Sequence, residues 1–311
     1  MTDNTLARGQ MSDGARGFSF ALAAYLMWGF LPLYMKLVTH IPATEVVAHR
    51  IVWSVPVAAL LLFLMGRTAD IAAALRNPRT LLMACLTAGL ITVNWGIYVW
   101  AISVDRTLET ALGYYINPMI NVVLGALFLN ERLNRAQMVA VGLAAAAVVL
   151  LTVKAGGLPW VSLALALSFG FYGFLRKTLP IGPSQGFMLE VLILSIPALG
   201  YILWLIGHGQ DHFAAGSSWD VFILSMAGPV TAVPLICYAF GAKLLRYTTI
   251  GIMQYIGPTL IFLIAVFWFK EPFSTVQFVA FALIWAGLAI YTWSSLAEAR
   301  KKGVGNSEAV R

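Results

Sequence analysis

Long apolar stretches alternate with short polar links along almost the whole chain. Ten stretches approach the length of a bilayer span, about 20 apolar residues. They are 17–38, 43–66, 80–104, 108–130, 136–153, 157–176, 183–207, 219–242, 247–269 and 274–297. Each is expected to form one helix, because a backbone in lipid has to satisfy its own hydrogen bonds. The links are too short for an inserted soluble domain, and the longest polar one is GHGQDHFAAGSS at 207–218. A polar tail at 1–16 precedes the first run. A basic tail at 298–311, EARKKGVGNSEAVR, follows the last and reads as disordered.

Composition sharpens this picture. The 311 residues are 60% hydrophobic and 11% charged, with a mean hydropathy of +0.83. A soluble domain carries about 25% charged residues, so an all-α polytopic membrane protein is expected. Lys and Arg then set the orientation. With the N-terminus inside, fifteen of them fall on inner segments and five on outer ones. Both termini are therefore expected in the cytoplasm. The net charge of +7 is accounted for by this bias and gives no reason to invoke nucleic acid. Cys85 and Cys237 both lie in apolar runs, which argues against a disulfide framework. The first run is of full spanning length and is read as a retained helix, not a cleaved signal.

The chain also repeats itself. YYINP at 114–118 returns as QYIGP at 254–258. A shift of 140 pairs Tyr98 with Tyr238, Arg106 with Arg246, Tyr115 with Tyr255, Pro118 with Pro258, Glu131 with Glu271 and Gln137 with Gln277. A shift of 141 pairs Gly29 with Gly170, Phe30 with Phe171, Lys36 with Lys177 and Pro42 with Pro183. Two five-helix repeats follow, 17–153 and 154–297. Five is odd, so the second copy enters the membrane upside down. Five-plus-five inverted repeats suit a transporter, whose halves can open alternately to either side.

Each repeated proline falls near the middle of its run. It removes one backbone hydrogen bond and clashes with the carbonyl four residues back, here Tyr114 and Gln254. Bends at Pro118 and Pro258 beside a substrate path are one reading. Passive kinks, satisfied by neighbouring helices, are the other.

At this point the residues resemble a known family. The acids that close helices 4 and 9, LNERL and FKEPF, resemble those of the drug/metabolite transporter superfamily and its EamA-type members. ATEVVAHRIVWSVP (43–56), NWGIYVWAI (94–102) and ALGYYINPMINVVLGALFLNERL (111–133) are most similar to the RarD permeases. The resemblance implies a multi-pass permease of the bacterial inner membrane. Its relatives export amino acids, metabolites or drugs, and one carries a chloramphenicol-sensitivity label.

Candidate site residues come from polar groups at membrane depth. Tyr114, Asn117 and Asn121 share one face of helix 4, and Thr87, Asn94 and Tyr98 share one face of helix 3. They line a polar cavity or tie helices together. Glu45, His49, Arg50 and Glu190 are ionisable groups inside apolar runs. Such groups cost about 2.5 kcal/mol or more in lipid and default to function, although Glu45, His49 and Arg50 lie close enough to an interface to snorkel. The repeat sets His49 opposite Glu190, so both are candidates for proton coupling. Trp28, Tyr172, Gln254 and Tyr255 complete the substrate-binding set. Glu131 and Glu271 are read as structural acids favoured by the dipole of the helix that follows. Gly29, Gly170 and AGLAIY (286–291) are read as sites of close helix packing.

These features favour a secondary permease, acting on a small-molecule substrate by alternating access, as monomer or homodimer. Proton coupling is left open, and neither cofactor nor metal is expected. His208 and His212 have HxxxH spacing but no surrounding acid–base constellation. A membrane-embedded enzyme is therefore the weaker alternative. A nucleotide-sugar carrier would need several cations in its cavity, where only Arg50 is available.

Overall fold

The computed structural model describes residues 13–308, apart from 67, 69–70, 72–73, 129–132, 155–156, 179, 246–248 and 251–252. Among them the chain is all-helical. The first five helices are α1 Asp13–Leu37, α2 Ala43–Leu64, α3 Pro78–Ser103, α4 Thr107–Phe128 and α5 Arg135–Lys154. The second five are α6 Trp160–Thr178, α7 Pro183–Gly207, α8 Ser218–Leu244, α9 Ile256–Leu263 and α10 Thr275–Glu308. Eight are long and apolar enough to cross a membrane, and two shorter apolar helices cover Trp160–Arg176 and Ile256–Trp268. Large apolar side chains such as Phe63, Leu127, Ile196, Phe267 and Trp293 cover the outer surface, as a lipid-facing wall requires.

Local chemistry sets the helix starts. Asn77 caps α3 by accepting from the N–H groups of Arg79 and Thr80, with Pro78 in the first position, where its missing N–H costs nothing. Ser217 and Asp220 form a reciprocal capping box on α8. Gly182–Pro183 opens α7 in the same proline-first way.

Three expectations need correction. The run 247–269 is not one straight helix. Residues 254–255 form a turn, α9 starts at Ile256, and Pro258 stands in its first turn instead of mid-helix. A first-turn proline sits where helical N–H groups lack partners anyway, so it differs from Pro118, which lies inside the unbroken α4. Beyond Leu263 the chain continues as a π-helix, Ile264–Trp268. The basic tail is helical up to Glu308, since Ala, Glu, Lys and Arg readily extend an existing helix.

The third correction concerns Glu271. It does not serve α10, the helix that follows. Lys270 adopts a positive φ of 55° and turns the chain back toward α4. There the Glu271 carboxylate accepts from the backbone N–H groups of Thr107 and Leu108, both at 2.8 Å. The acid caps a helix from the other half of the chain. Glu131, its sequence counterpart, lies outside the described residues.

The packing obeys a simple exchange rule. α1 packs on α8 and α9, and α6 packs on α3 and α4. α2 lies against α8, as α7 lies against α3. The pairs α2–α7, α4–α9 and α5–α10 each map onto themselves. Interchanging α1–α5 with α6–α10 therefore preserves the main contacts. The glycines show why the spacing matches. A Cβ at Gly29 would overlap Leu260, and one at Gly170 would overlap Ile120. Gly29 and Gly170 are 141 apart, and Ile120 and Leu260 are 140 apart. α5 and α10 meet where Gly287 reaches the Ala140 backbone.

Candidate functional site

Arg50 lies at the centre of the most unusual polar group. It projects from α2 with 3% exposure. Its Nε donates to Thr231 Oγ1 of α8 at 3.0 Å. The guanidinium lies over the Trp95 ring of α3, 4.8 Å from its centroid, a stabilising cation–π arrangement. α8 comes this close because Gly228 has no side chain, and a Cβ there would overlap Trp53 of α2. Thr231 follows three residues later, on the same helix face. Tyr34, Tyr98 and Tyr114 lie near the guanidinium, and among the described residues no carboxylate forms an ion pair with it. Nη1 of Arg50, Nε1 of Trp53 and the Tyr98 hydroxyl are buried without hydrogen-bond partners.

The polar stripes of α3 and α4 meet beside this group. The Tyr114 hydroxyl donates to Asn94 Oδ1 at 3.2 Å, and the rings of Tyr98 and Tyr114 lie 5.9 Å apart. Asn94 Nδ2 donates to the Leu165 carbonyl and to Ser168 Oγ of α6. Asn117 Nδ2 donates to the Ala166 carbonyl at 3.1 Å, and Asn121 Nδ2 donates to Asn117 Oδ1 at 3.2 Å. Asn94 and Asn117 thus tie α3 and α4 to α6, at about 0.6 kcal/mol per contact in a membrane. Tyr98 and Tyr114 face Arg50.

Glu190 sits in a separate group. It is 1% exposed, and the Tyr172 hydroxyl donates to its Oε2 at 3.1 Å. Arg176 of α6 lies 3.5 Å from Oε1, and its guanidinium also covers the Tyr172 ring at 5.9 Å. Thr87 of α3 faces the same carboxylate. Glu190 is therefore not the solitary acid that its apolar run implied.

His49 and Glu190 are not brought together. Thr44 meets Tyr201 at one end of the antiparallel α2–α7 pair, and Met65 meets Ser184 at the other. This register sets His49 and Glu190 apart by roughly eight residues, about 12 Å along the helices at 1.5 Å per residue. His49 stacks on Phe213 of the 207–218 loop, with centroids 5.0 Å apart, and both ring nitrogens lack partners. Trp53 also meets Phe213, with centroids 5.8 Å apart.

Glu45 does not snorkel. It is fully buried and receives the His212 backbone N–H at 2.7 Å, with His212 Nδ1 also 2.7 Å away. Within this loop, burial pushes the Asp211 carboxyl up, but N–H donors from Ala214 and Ala215 outweigh that and hold it below its ordinary range. His40 and Asp220, at 2.7 Å, and Lys36 and Asp105 close the same face of the bundle.

The remaining candidates lie elsewhere. Trp28 packs with Tyr25 and Tyr238, at 5.6 and 5.7 Å, between α1 and α8. Tyr255 lines a groove of about 500 Å³ with Tyr115, Thr259, Trp285 and Thr292. The Tyr115 hydroxyl and Thr259 Oγ1 are 2.6 Å apart there, where α4 crosses α9. Gln254 stands in the turn before it. This groove opens among α4, α9 and α10, away from the α2, α3 and α8 residues that surround Arg50.

Sequence reasoning missed Trp53, Trp95, Phe213, Thr231 and Arg176. The i, i+4 spacing of Tyr172 and Arg176 was a usable signal, because it aims both at one neighbour. Nothing in the sequence marked Thr231 or Phe213.

Comparisons with known proteins agree with this architecture. Residues 15–153 match the model of the EamA-like transporter family. Protein RarD of Streptomyces exfoliatus is 41% identical over 285 residues, covering 92% of this chain and 90% of its own. Protein RarD of Escherichia coli (strain K12) is 37% identical, with coverages of 92% and 97%. The chloramphenicol-sensitive protein RarD of Pseudomonas aeruginosa is 33% identical, with coverages of 94% and 98%. One solved structure superposes with a TM-score of 0.58 over 92% of this chain and 97% of its own, at 21% identity, a likeness in fold alone.

Proposed function

The chain belongs to the EamA-like transporter family and is RarD-like along most of its length, and on that premise we propose a secondary permease that moves small organic molecules by alternating access. The exchange of packing partners between α1–α5 and α6–α10 carries this reading. Two halves that contact each other equivalently give two states of similar energy, related by swapping their roles. Residues 17–153 and 154–297 are the repeats, the second inverted, in the bacterial inner membrane with both termini cytoplasmic. The Lys36–Asp105 face is then the periplasmic one. There Glu271, Glu45 and Asp220 hold helix ends together.

In this reading the substrate occupies the space flanked by Arg50, Trp95, Tyr98, Tyr114 and Thr231. Glu190 and Arg176 lie nearer the cytoplasmic side and are candidates for coupling to a proton gradient. Export of metabolites or drugs is the direction that the sequence resemblance implies. A nucleotide-sugar carrier fits less well, since one buried cation does not match a diphosphate.

The experiment is reconstitution of the full chain in proteoliposomes. Amino acids, small organic acids and chloramphenicol are presented with and without a proton gradient. Saturable movement of at least one class, absent from empty liposomes, is expected. No movement of any class under either condition would overturn the proposal.

A further inference from the structure

The buried charges of this protein divide unevenly. Among the described residues, Glu45, Glu190, Asp211 and Glu271 are the buried carboxylates, and each has donors. Glu45 has His212, Glu190 has Tyr172 as donor and Arg176 as ion-pair partner, Asp211 has two backbone N–H groups, and Glu271 has two more. Arg50 is buried to the same degree, and among the described residues no carboxylate forms an ion pair with it. Its contacts are a neutral hydroxyl and an aromatic face. A guanidinium stays protonated in proteins, so the positive charge is fixed and uncompensated.

The surroundings are those of a receptor for an acceptor group. Nη1 of Arg50 has no hydrogen-bond partner, and the Tyr98 hydroxyl of α3, near the guanidinium, is a second buried donor without one. Thr231 engages Nε, and Trp95 fixes the plane of the guanidinium. The Nη edge that remains suits the two oxygens of a planar group. One cation balances one negative charge. A carboxylate carries one at neutral pH, whereas a phosphate monoester or a diphosphate carries more.

We infer that the substrate of this permease is an organic carboxylate, its carboxylate held by the Nη edge of Arg50 and its body lying against Tyr98 and Tyr114. The inference rests on the permease reading above and narrows it to one chemical class. It also assigns Tyr98 as a supporting donor.

The test uses the purified full-length protein. Acetate, benzoate, phenylacetate and 3-phenylpropionate are titrated beside their neutral amides, with sodium phosphate and sodium chloride as inorganic anions. Tryptophan fluorescence is read, because Trp53 and Trp95 flank the site. At least one carboxylate should give a saturable change, and its amide should bind at least about tenfold more weakly. Arg50→Gln should abolish the response, and Arg50→Lys, which keeps the charge but loses the fork, should weaken it. Without added ligand, Arg50→Gln should melt no lower than the parent, since an unpaired buried charge is removed. A lower melting temperature together with retained carboxylate binding would mean that Arg50 is structural. Equal binding of acid and amide, a response to phosphate or chloride alone, or no response to any carboxylate would each overturn the inference. Counterflow in proteoliposomes separates the two levels. Transport of amides that survives Arg50→Gln leaves a permease without an anion site, and no transport of any compound removes the permease reading itself.

Discussion

Glu190 of α7 and Arg176 of α6 face each other at 3.5 Å, with Tyr172 donating to the same carboxylate from one turn earlier on α6. The side chains are 2% and 16% exposed, so the pair lies largely out of water. Removing one member of such a pair costs about 3 kcal/mol, because the other charge remains buried. Glu190→Gln and Arg176→Gln are each expected to lower the melting temperature, and the double variant by less than their sum. If Glu190 also couples transport to protons, Glu190→Gln keeps gradient-free exchange and loses gradient-driven accumulation. Parent-like accumulation would leave the pair a purely structural tie.

Glu271 offers a sharper structural test. It accepts two backbone N–H groups at the start of α4. Glu271→Ala strands both, at about 1–3 kcal/mol for each buried donor left unmade. Glu271→Gln keeps one acceptor oxygen and should fall between Ala and the parent in a thermal melt. Equal losses for Gln and Ala would point to the charge, not the acceptors, as the stabilising feature.

Much of the architecture was legible because lipid imposes it. Among the described residues each of the ten apolar runs contains one of the α-helices α1–α10, with starts such as Ala43 and Pro183 marked by prolines. The start of α9 was not legible. Hydropathy averaged over a span-length window does not distinguish a helix from the turn at 254–255, since Gln254 and Tyr255 are flanked by apolar residues on both sides. Polar candidates were found by depth, which placed Arg50, Asn94, Tyr98 and Tyr114 in one group. Their partners depended on contacts across about 180 residues of sequence, as between Arg50 and Thr231, and no local spacing encodes these. Glu190 looked solitary for a different reason, since Arg176 was counted among the inner-segment charges that set the orientation.

The exchange of packing partners makes the two glycines equivalent. Gly29 seats Leu260 and Gly170 seats Ile120. Gly29→Leu and Gly170→Leu should each separate a helix pair, α1–α9 or α6–α4, and should impair transport to a similar degree. Transport rates at matched expression provide the check. A severe effect at one site with none at the other would mean that the halves do not move as equivalents.

Orientation follows from the charge bias and is tested by cysteine labelling in intact cells. On a background lacking Cys85 and Cys237, Ser217→Cys in the 207–218 loop should react with an impermeant reagent, and Ser307→Cys should not. The reverse pattern would invert the protein in the membrane and move the Glu45–His212 contact to the cytoplasmic side.

The central claim is that one site, beside Arg50, opens in turn to each side of the membrane. Thr231 touches the Arg50 guanidinium and is buried, so its accessibility reports on that site. Thr231→Cys, on the cysteine-free background, is treated with an impermeant maleimide in right-side-out and in inside-out vesicles. The account requires labelling from both sides, each slowed by a transported compound. Labelling from one side only, or from neither, would contradict it.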